Sequence, residues 1–345
     1  MSRSKTFSTP TPRATIRDVA SAAKTGKTSV SRYLNGEQHL LSDALKERIE
    51  RAIALLEYQP SQMARSLKSG ETRLIGLIIA DITNPYSVEV MRGVEAACRQ
   101  QGLTLLVCNT NNEFDQEKHY LQLLGSYRVD GIVVNAVGMR EEAISSLQQS
   151  QMPMVLIDRK VANFSCDVIG LDNAEATTEV TQHLLQQGFE AILFLSEPVT
   201  INTRLDRLHT FLKQMQKTPH KFAEQGEVEL EDEQGLEKLL LDFAAQYPDK
   251  RRAVISVNGA LTLVIARAMR RIGMVWGKDI GLLGFDDLEW AELAGVGITT
   301  LRQPTYDMGF AALGQLVKRI HGSDEPIREH SFSGELIIRG STQSA

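Results

Sequence analysis

The chain has 345 residues, 42% of them hydrophobic and 23% charged, with a formal net charge of -5. That length exceeds one ordinary core and predicts two or three domains, while no run approaches the roughly 20 apolar residues of a membrane span. The N-terminus, MSRSKTFSTPTPR, lacks the apolar core of a secretory signal, so a cytoplasmic location and no membrane partner are expected.

Cys98, Cys108 and Cys166 are an odd number without C-x-x-C spacing, which suggests neither a disulfide framework nor a metal site. The charge is unevenly spread. Residues 1–74 hold 13 Lys and Arg against 7 Asp and Glu, a net +6, and the remainder holds 25 against 36, a net -11. A basic head on an acidic body is the footprint of a domain that contacts phosphates.

Residues 1–14 are expected to be a disordered arm, in which Arg3, Lys5 and Arg13 either add phosphate contacts or belong to a bland tail. Thr15 to Asn35, TIRDVASAAKTGKTSVSRYLN, predicts two short helices and a break. Thr15 caps the first helix with Asp18 as its capping-box partner, and Ile16, Val19, Ala20 and Ala23 share one face. Thr25 and Gly26 interrupt the pattern. A second helix from about Lys27 keeps Val30, Tyr33 and Leu34 for packing and turns Lys27, Thr28, Ser29 and Arg32 outward. This reads as a helix-turn-helix, whose second helix places its first residues at base edges in the major groove. Alone, the window fits a solvated helix pair as well. Ser42 caps a third helix, DALKERIERAIALLEY, with Leu45, Ile49, Ile53 and Leu56 at helical spacing, which completes a DNA-binding domain over 15–58. Residues 59–73 predict a short helix from Pro60 with little to bury, either ordered by a second subunit or DNA or left as a linker.

From Leu74 the texture changes. The strands LIGLIIAD, LTLLVCN, DGIVVN, PMVLID, DVIGLD, AILFLS, RAVISVN and DIGLLGFDD alternate with helices near 86–101, 116–124, 141–149, 174–187, 203–216 and 261–272. Alternation of this kind is α/β, and residues 74–345 are enough for two parallel sheets in tandem, covered on both faces. Ligands of such folds bind beyond the C-terminal ends of the strands. Those ends carry Asp81 to Asn84, Asn109 to Asn112, Asp158 and Arg159, Asp172, Asn258, and Asp286 and Asp287. Each Asx alone is equally an ordinary turn or cap former; their convergence is the signal. No G-x-G-x-x-G follows the first strand, and neither a phosphate-binding P-loop nor G-x-S-x-G is present, so no catalytic residue and no cofactor are expected.

Five stretches carry a resemblance: TIRDVASAAKTGKTSVSRYLNG, YQPSQMARSL, LIGLIIADITNPY, RLHTF, and IGLLGFDD followed by ITTLRQP. Together, and in order from about Thr15 to Thr342, they resemble the lactose and galactose repressor family of bacterial transcription regulators. The resemblance implies a helix-turn-helix head and hinge helix, then two doubly wound parallel-sheet lobes like those of periplasmic sugar-binding proteins. It also implies a homodimer on double-stranded, pseudo-palindromic operator DNA and a small-molecule effector between the lobes. Lys27, Thr28 and Arg32 would face the major groove, Ser31 and Asn35 would lie nearer the backbone, and Thr15 and Ser29 complete the DNA-facing set. Leu67 would be the hinge leucine that wedges into the minor groove, with Ala64 on the approaching face. Arg207 matches the effector-binding arginine, Asn258 and Asp286 match ligands from the C-terminal lobe, and Gln303 matches a lobe-crossing residue. Asp81, Asn84, Tyr86, Asp158 and Arg159 supply the other lobe's side, and Thr203 precedes Arg207. The plain alternative for Arg207 is a salt bridge to Asp206 or Glu179. No Leu heptad tail follows Ile338, which favours a dimer over a tetramer.

The chain departs from the family pattern at Lys24-Thr25-Gly26, where Gly-Val-Ser is usual; Lys24 at positive φ would cost ~1 kcal/mol or more unless the turn rearranges. Ser61, Thr210 and Gly259 also replace the usual Asn, Gly and Asp. Arg159 and Arg207, with Arg204 near, favour an anionic effector such as gluconate, ketogluconate or ketodeoxygluconate, because guanidinium forks match carboxylates. RLDRL and DLEWAEL are similar to sugar-acid-responsive branches. Trp290 either stacks on a sugar face or is a core residue. The expected function is a repressor released by its effector. The alternatives are a co-repressor-activated regulator, as purines act in one branch, and a sugar-acid-metabolising enzyme.

Overall fold

The computed structural model describes residues 14–60, 70–136, 151–161, 164–199 and 201–343. The arm before Ala14, the hinge positions Ser61, Ala64 and Leu67, and the helix expected near 141–149 lie outside the described residues. The chain divides into two compact units, Met1–Thr72 and Arg73–Ala345.

In the first unit, α1 (Ile16–Ala22), α2 (Lys27–Leu34) and α3 (Asp43–Leu55) enclose Val19, Ala20, Ala23, Val30, Leu41, Ile49 and Ala52. A 3-10 turn over Gln38–Leu40 joins α2 to α3. The Asp18 carboxylate accepts from both the Thr15 N–H and the Thr15 hydroxyl, each at 2.7 Å, and these two bonds hold its pKa below the usual carboxylate value. The unusual turn does not rearrange. Lys24 keeps φ at +50°, and α1 ends in a complete Schellman pair, with Thr25 N–H donating to Ala20 O at 2.9 Å and Lys24 N–H to Ser21 O at 3.0 Å. Arg48 of α3 then clamps the turn. Its Nε and Nη2 donate to Ala23 O at 3.1 and 2.7 Å, and Nη2 also reaches Lys24 O at 2.7 Å. Charge-assisted bonds to carbonyls that the helix leaves open offset the strain of a side chain at a glycine position.

The second unit is two topological copies of one sheet. The first lobe contains β1 (Leu74–Ile79), α4 (Pro85–Gln101), β2 (Thr104–Asn109), α5 (Phe114–Ser126), β3 (Gly131–Val134), β4 (Met154–Ile157) and β5 (Asp167–Leu171). The second contains α6 (Asn173–Gln186), β6 (Ala191–Ser196), α7 (Asn202–Met215), β7 (Phe222–Glu227) and α8 (Glu233–Gln246). It continues with β8 (Arg252–Ser256), α9 (Gly259–Arg271), β9 (Gly281–Phe285), α10 (Glu289–Leu293) and β10 (Thr299–Arg302). The chain then returns through α11 (Thr305–Ile320) and β11 (Glu329–Phe332) to the first lobe, and β12 (Glu335–Ile337) rejoins the second. Strand orders are β11-β5-β4-β3-β1-β2 and β12-β10-β9-β8-β6-β7. Every described pairing is parallel except β12 on β10, which the expectation of purely parallel sheets missed.

The central strands are buried on both faces, as their unbroken apolar runs require. Seven of the described elements of this unit have no counterpart in the sequence reading: β7, α8, α10, β10, α11, β11 and β12. α11 is the instructive one. It follows a second-lobe strand, yet Met308, Ala312, Leu313 and Leu316 join Ile75, Leu77, Val90 and Val94 in the first-lobe core. It crosses α4 at glycines so closely that a Cβ on Gly93 would stand 2.0 Å from Tyr306 O, and one on Gly309 2.2 Å from Val90 O. Its far end is fixed by Arg319, whose Nε and Nη2 donate to the buried Asp167 carboxylate at 2.6 and 3.0 Å.

Replacing Arg48 by Ala is expected to destabilise the head by ~1–2 kcal/mol, the cost of losing charged donors to open carbonyls. Lys24→Gly in the same background should restore part of that loss by removing the positive-φ strain. Thermal unfolding followed by circular dichroism measures both, and an unchanged midpoint for Arg48→Ala would deny the clamp its role.

Candidate functional site

On the head, Lys27, Thr28 and Arg32 are exposed on α2 and Asn35 at its C-cap, and Ser29 and Ser31 are half-buried beside them. α2 starts at Gly26 with no side-chain cap, so its first N–H groups are unclaimed by a side chain. Asn35 donates to Ser31 Oγ at 3.3 Å, and Arg32 Nε lies 3.9 Å from Glu37. Thr15 is exposed, with its N–H and hydroxyl committed to Asp18.

In the second unit the C-terminal ends of the two sheets face a cavity of about 460 Å³. It is lined by all ten positions singled out for an effector: Asp81, Asn84, Tyr86, Asp158, Arg159, Thr203, Arg207, Asn258, Asp286 and Gln303. Arg207 projects from α7 and is 5% exposed. Its Nε donates to Asn173 Oδ1 at 2.7 Å, its Nη1 donates to Val257 O at 2.5 Å, and its guanidinium lies 4.1 Å from the Phe285 ring centroid. These bonds go to neither Asp206 nor Glu179. Burial lowers the Arg207 pKa, while the carboxylates of Asp158 and Asp286 pull it back up. The converse holds for Asp286. Burial raises its pKa, and Arg207, the Gly259 N–H at 2.9 Å and the Gln303 amide at 2.7 Å oppose the rise.

Asp158 and Asp286 occupy equivalent places, after β4 and β9, and both sit in the left-handed region at φ +67° and +70°. Non-glycine residues hold that conformation only where the surroundings enforce it, a recurring property of functional sites. Beside Asp158, Arg159 Nε lies 3.6 Å from Asp158 Oδ2 and Nη1 donates to Ala136 O at 3.2 Å. Arg204 also lines the cavity and pairs with Glu197 at 2.7 Å.

The Asx residues divide their labour. Asn84 and Asn258 both cap helices, accepting from Tyr86 N–H at 3.0 Å and Leu261 N–H at 2.9 Å, and line the cavity as well. Asp172 caps α6, accepting from Glu175 N–H at 2.9 Å, and does not line this cavity. Asp287 anchors Arg302 at 2.6 Å and Arg339 at 2.7 Å. Asn109 ties its own loop, donating to Asn111 at 2.6 Å. Sequence reasoning missed Asn135 and Glu197, which line the cavity immediately after β3 and β6. Their position after a strand was the available signal. Of the two roles open to Trp290, the core one holds: it packs partly on the second-lobe core and lines a neighbouring cavity of about 820 Å³ with Tyr306 and Pro304, not the first cavity.

Five buried side-chain polar atoms among the described residues have no hydrogen-bond partner, and three belong to this cavity: Tyr86 Oη, Arg159 Nε and Gln303 Oε1. An unpaired buried donor or acceptor costs ~1–3 kcal/mol, so three at one place mark a site completed by something else.

Residues 15–61 match the family described as bacterial regulatory proteins, lacI family, and residues 72–331 match the periplasmic binding proteins and sugar binding domain of the LacI family. The chain belongs to the LacI family. It is a DNA-binding transcriptional regulator and not an enzyme. It is 44% identical to the HTH-type transcriptional regulator PtxS of Pseudomonas aeruginosa over 96% of each chain. It is 36% identical to the HTH-type transcriptional regulator KdgR of Bacillus subtilis over 95% of this chain and 97% of that one. Among solved structures, the lac repressor dimer bound to operator and the anti-inducer ONPF superposes with a TM-score of 0.82 at 21% identity, covering 96% and 99% of the two chains, which shows the shared fold.

Because the Tyr86 hydroxyl has no partner without a ligand, Tyr86→Phe should leave the ligand-free protein as stable as wild type, or more stable by up to ~1 kcal/mol. Denaturant unfolding of the ligand-free chain decides this. A loss of stability would mean that the hydroxyl is already satisfied.

Proposed function

We propose that this chain is a cytoplasmic homodimer that holds a pseudo-palindromic operator and leaves it when a sugar acid binds between its lobes. The single observation that carries the effector reading is the trio of guanidinium groups reaching the cavity from both lobes, Arg159 from the first and Arg204 and Arg207 from the second. Charge count alone does not select an anion, since six carboxylates also line the cavity. Two of these, Glu229 and Glu231, are exposed at the rim, and Asp158, Asp286 and Glu197 each face an arginine. What the cavity needs is mixed: an acceptor for Arg159 Nε, a donor for Gln303 Oε1, and either for Tyr86 Oη. A polyhydroxylated carboxylate meets all three, its carboxylate serving the guanidinium groups and its hydroxyls the amide and phenol.

Two heads are needed to reach two half-sites one helical turn apart, which is the reason for a dimer. Leu293 and Val296, 84% and 58% exposed, give the second lobe apolar surface to bury in one. Lys27, Thr28 and Arg32 would read base edges, with Thr15, Ser29, Ser31 and Asn35 at the backbone and Ala64 and Leu67 in the minor groove. Effector binding would move the first lobe and, through residues 59–73, withdraw the hinge from the operator. Such coupling is reciprocal and typically amounts to ~1–3 kcal/mol, so operator should weaken effector binding by the same factor.

Calorimetry on the full chain should detect gluconate-type acids and not the corresponding neutral aldoses; the reverse pattern overturns the anionic reading. A ligand that tightens rather than loosens operator binding would make it a co-repressor at the same residues. Arg207→Gln should keep operator affinity within about twofold and abolish effector response, because the buried guanidinium serves the ligand and not the DNA. For the head, Thr28→Ala should change which operator variant is preferred by ~1–3 kcal/mol per contacted pair. Equal loss on every sequence in a gel-shift series would move the base-reading role off Thr28.

A further inference from the structure

Glu197 is the cavity carboxylate that has a guanidinium on one oxygen and a carboxamide on the other. It is the first residue after β6, its side chain is 16% exposed, and each of its oxygens is engaged by a second-lobe group. Oε1 pairs with Arg204 Nη2 at 2.7 Å, and Oε2 accepts from Asn258 Nδ2 at 2.5 Å. A guanidinium on one oxygen and a carboxamide on the other is how a site holds a carboxylate ligand. Both holders are fixed independently of Glu197. Arg204 Nη1 donates to Pro198 O at 3.0 Å, and Asn258 Oδ1 caps α9 by accepting from Leu261 N–H at 2.9 Å. Among the described residues, the two bonds already named are the ones that tie the Glu197 side chain.

The opposite lobe is the unsatisfied party. Arg159 Nε is buried without a hydrogen-bond partner, 3.6 Å from Asp158 Oδ2, and Arg159 lines the same cavity as Arg204. Glu197 neutralises Arg204 from its own lobe and does nothing for Arg159 Nε. A carboxylate that enters from outside can serve both lobes, and so draws them together.

We infer that Glu197 is an internal stand-in for the effector's carboxylate: it occupies Arg204 and Asn258 in the ligand-free cavity and is displaced when the effector bridges Arg204 to Arg159. This rests on the sugar-acid reading of the same cavity. The stand-in sets the threshold for response. It must be expelled before the effector seats, so it lowers affinity for every ligand. It also bars neutral sugars, which bring no charge to replace the one they displace.

The test compares wild type, Glu197→Gln and Glu197→Ala as full chains, titrated by calorimetry with D-gluconate, 2-keto-D-gluconate, 2-keto-3-deoxy-D-gluconate and D-glucose. Both variants are expected to bind the preferred acid about tenfold more tightly than wild type, and to release operator at a correspondingly lower concentration. The Gln variant keeps an acceptor for Arg204, and thermal unfolding of each ligand-free variant separates folding from binding. Weaker or unchanged binding of the acid by both variants overturns the inference and makes Glu197 a direct holder of ligand or a mere support for Arg204. If wild type and variants alike ignore all three acids, the sugar-acid reading falls, and this inference with it.

Discussion

A buried guanidinium between two carboxylate-bearing strand ends is the constraint on which the body depends. Arg207 is held by Asn173 and Val257 and lies against Phe285, so its position is set by three elements of the second lobe before any ligand arrives. Asp158 and Asp286, the residues whose charge most favours its ionised form, come from equivalent strands of different lobes. Removing a charge from water is expensive unless partners compensate, and here the compensation is divided between the two bodies that must move. The resting electrostatics therefore couple the lobes.

That division follows from how the chain is threaded. It passes between the lobes after β5, after β10 and after β11, so neither lobe is a continuous segment. The second passage carries Gln303, whose amide bonds Asp286 and whose carbonyl oxygen is left without a partner. The same passage starts α11, which is locked to α4 by mutual glycine contact and to β5 by the Arg319–Asp167 pair. A displacement at Gln303 thus meets a rigid helix pair and not a slack loop. The head shows the same economy on a smaller scale, since one arginine, Arg48, holds the carbonyls of a turn whose own sequence disfavours its shape.

Much of this was legible from residues alone. The apolar runs of β1, β3, β4, β6 and β9 read as buried parallel strands because their period is fixed by being covered on both faces. The helices of the head read from spacing and from the Thr15–Asp18 cap. β7 was illegible because FAEQGE lies at a sheet edge, where pairing with β6 on one side replaces any need for an apolar pattern. β11 and β12 were too short and polar to stand out.

The sequence by itself determined the family, eight of the strands and which residues end them, because turn chemistry and hydrophobic period are local. Only the tertiary structure decided what each strand-end residue does. Asp172, Asp287, Asn84 and Asp286 are alike as letters, yet one caps, one anchors arginines, one both caps and lines the cavity, and one faces Arg207. It also decided that Trp290 turns to a different cavity and that Glu197, unremarked in sequence, occupies Arg204. These roles depend on which side chains arrive from elements far away in the chain, and no local pattern encodes such a meeting.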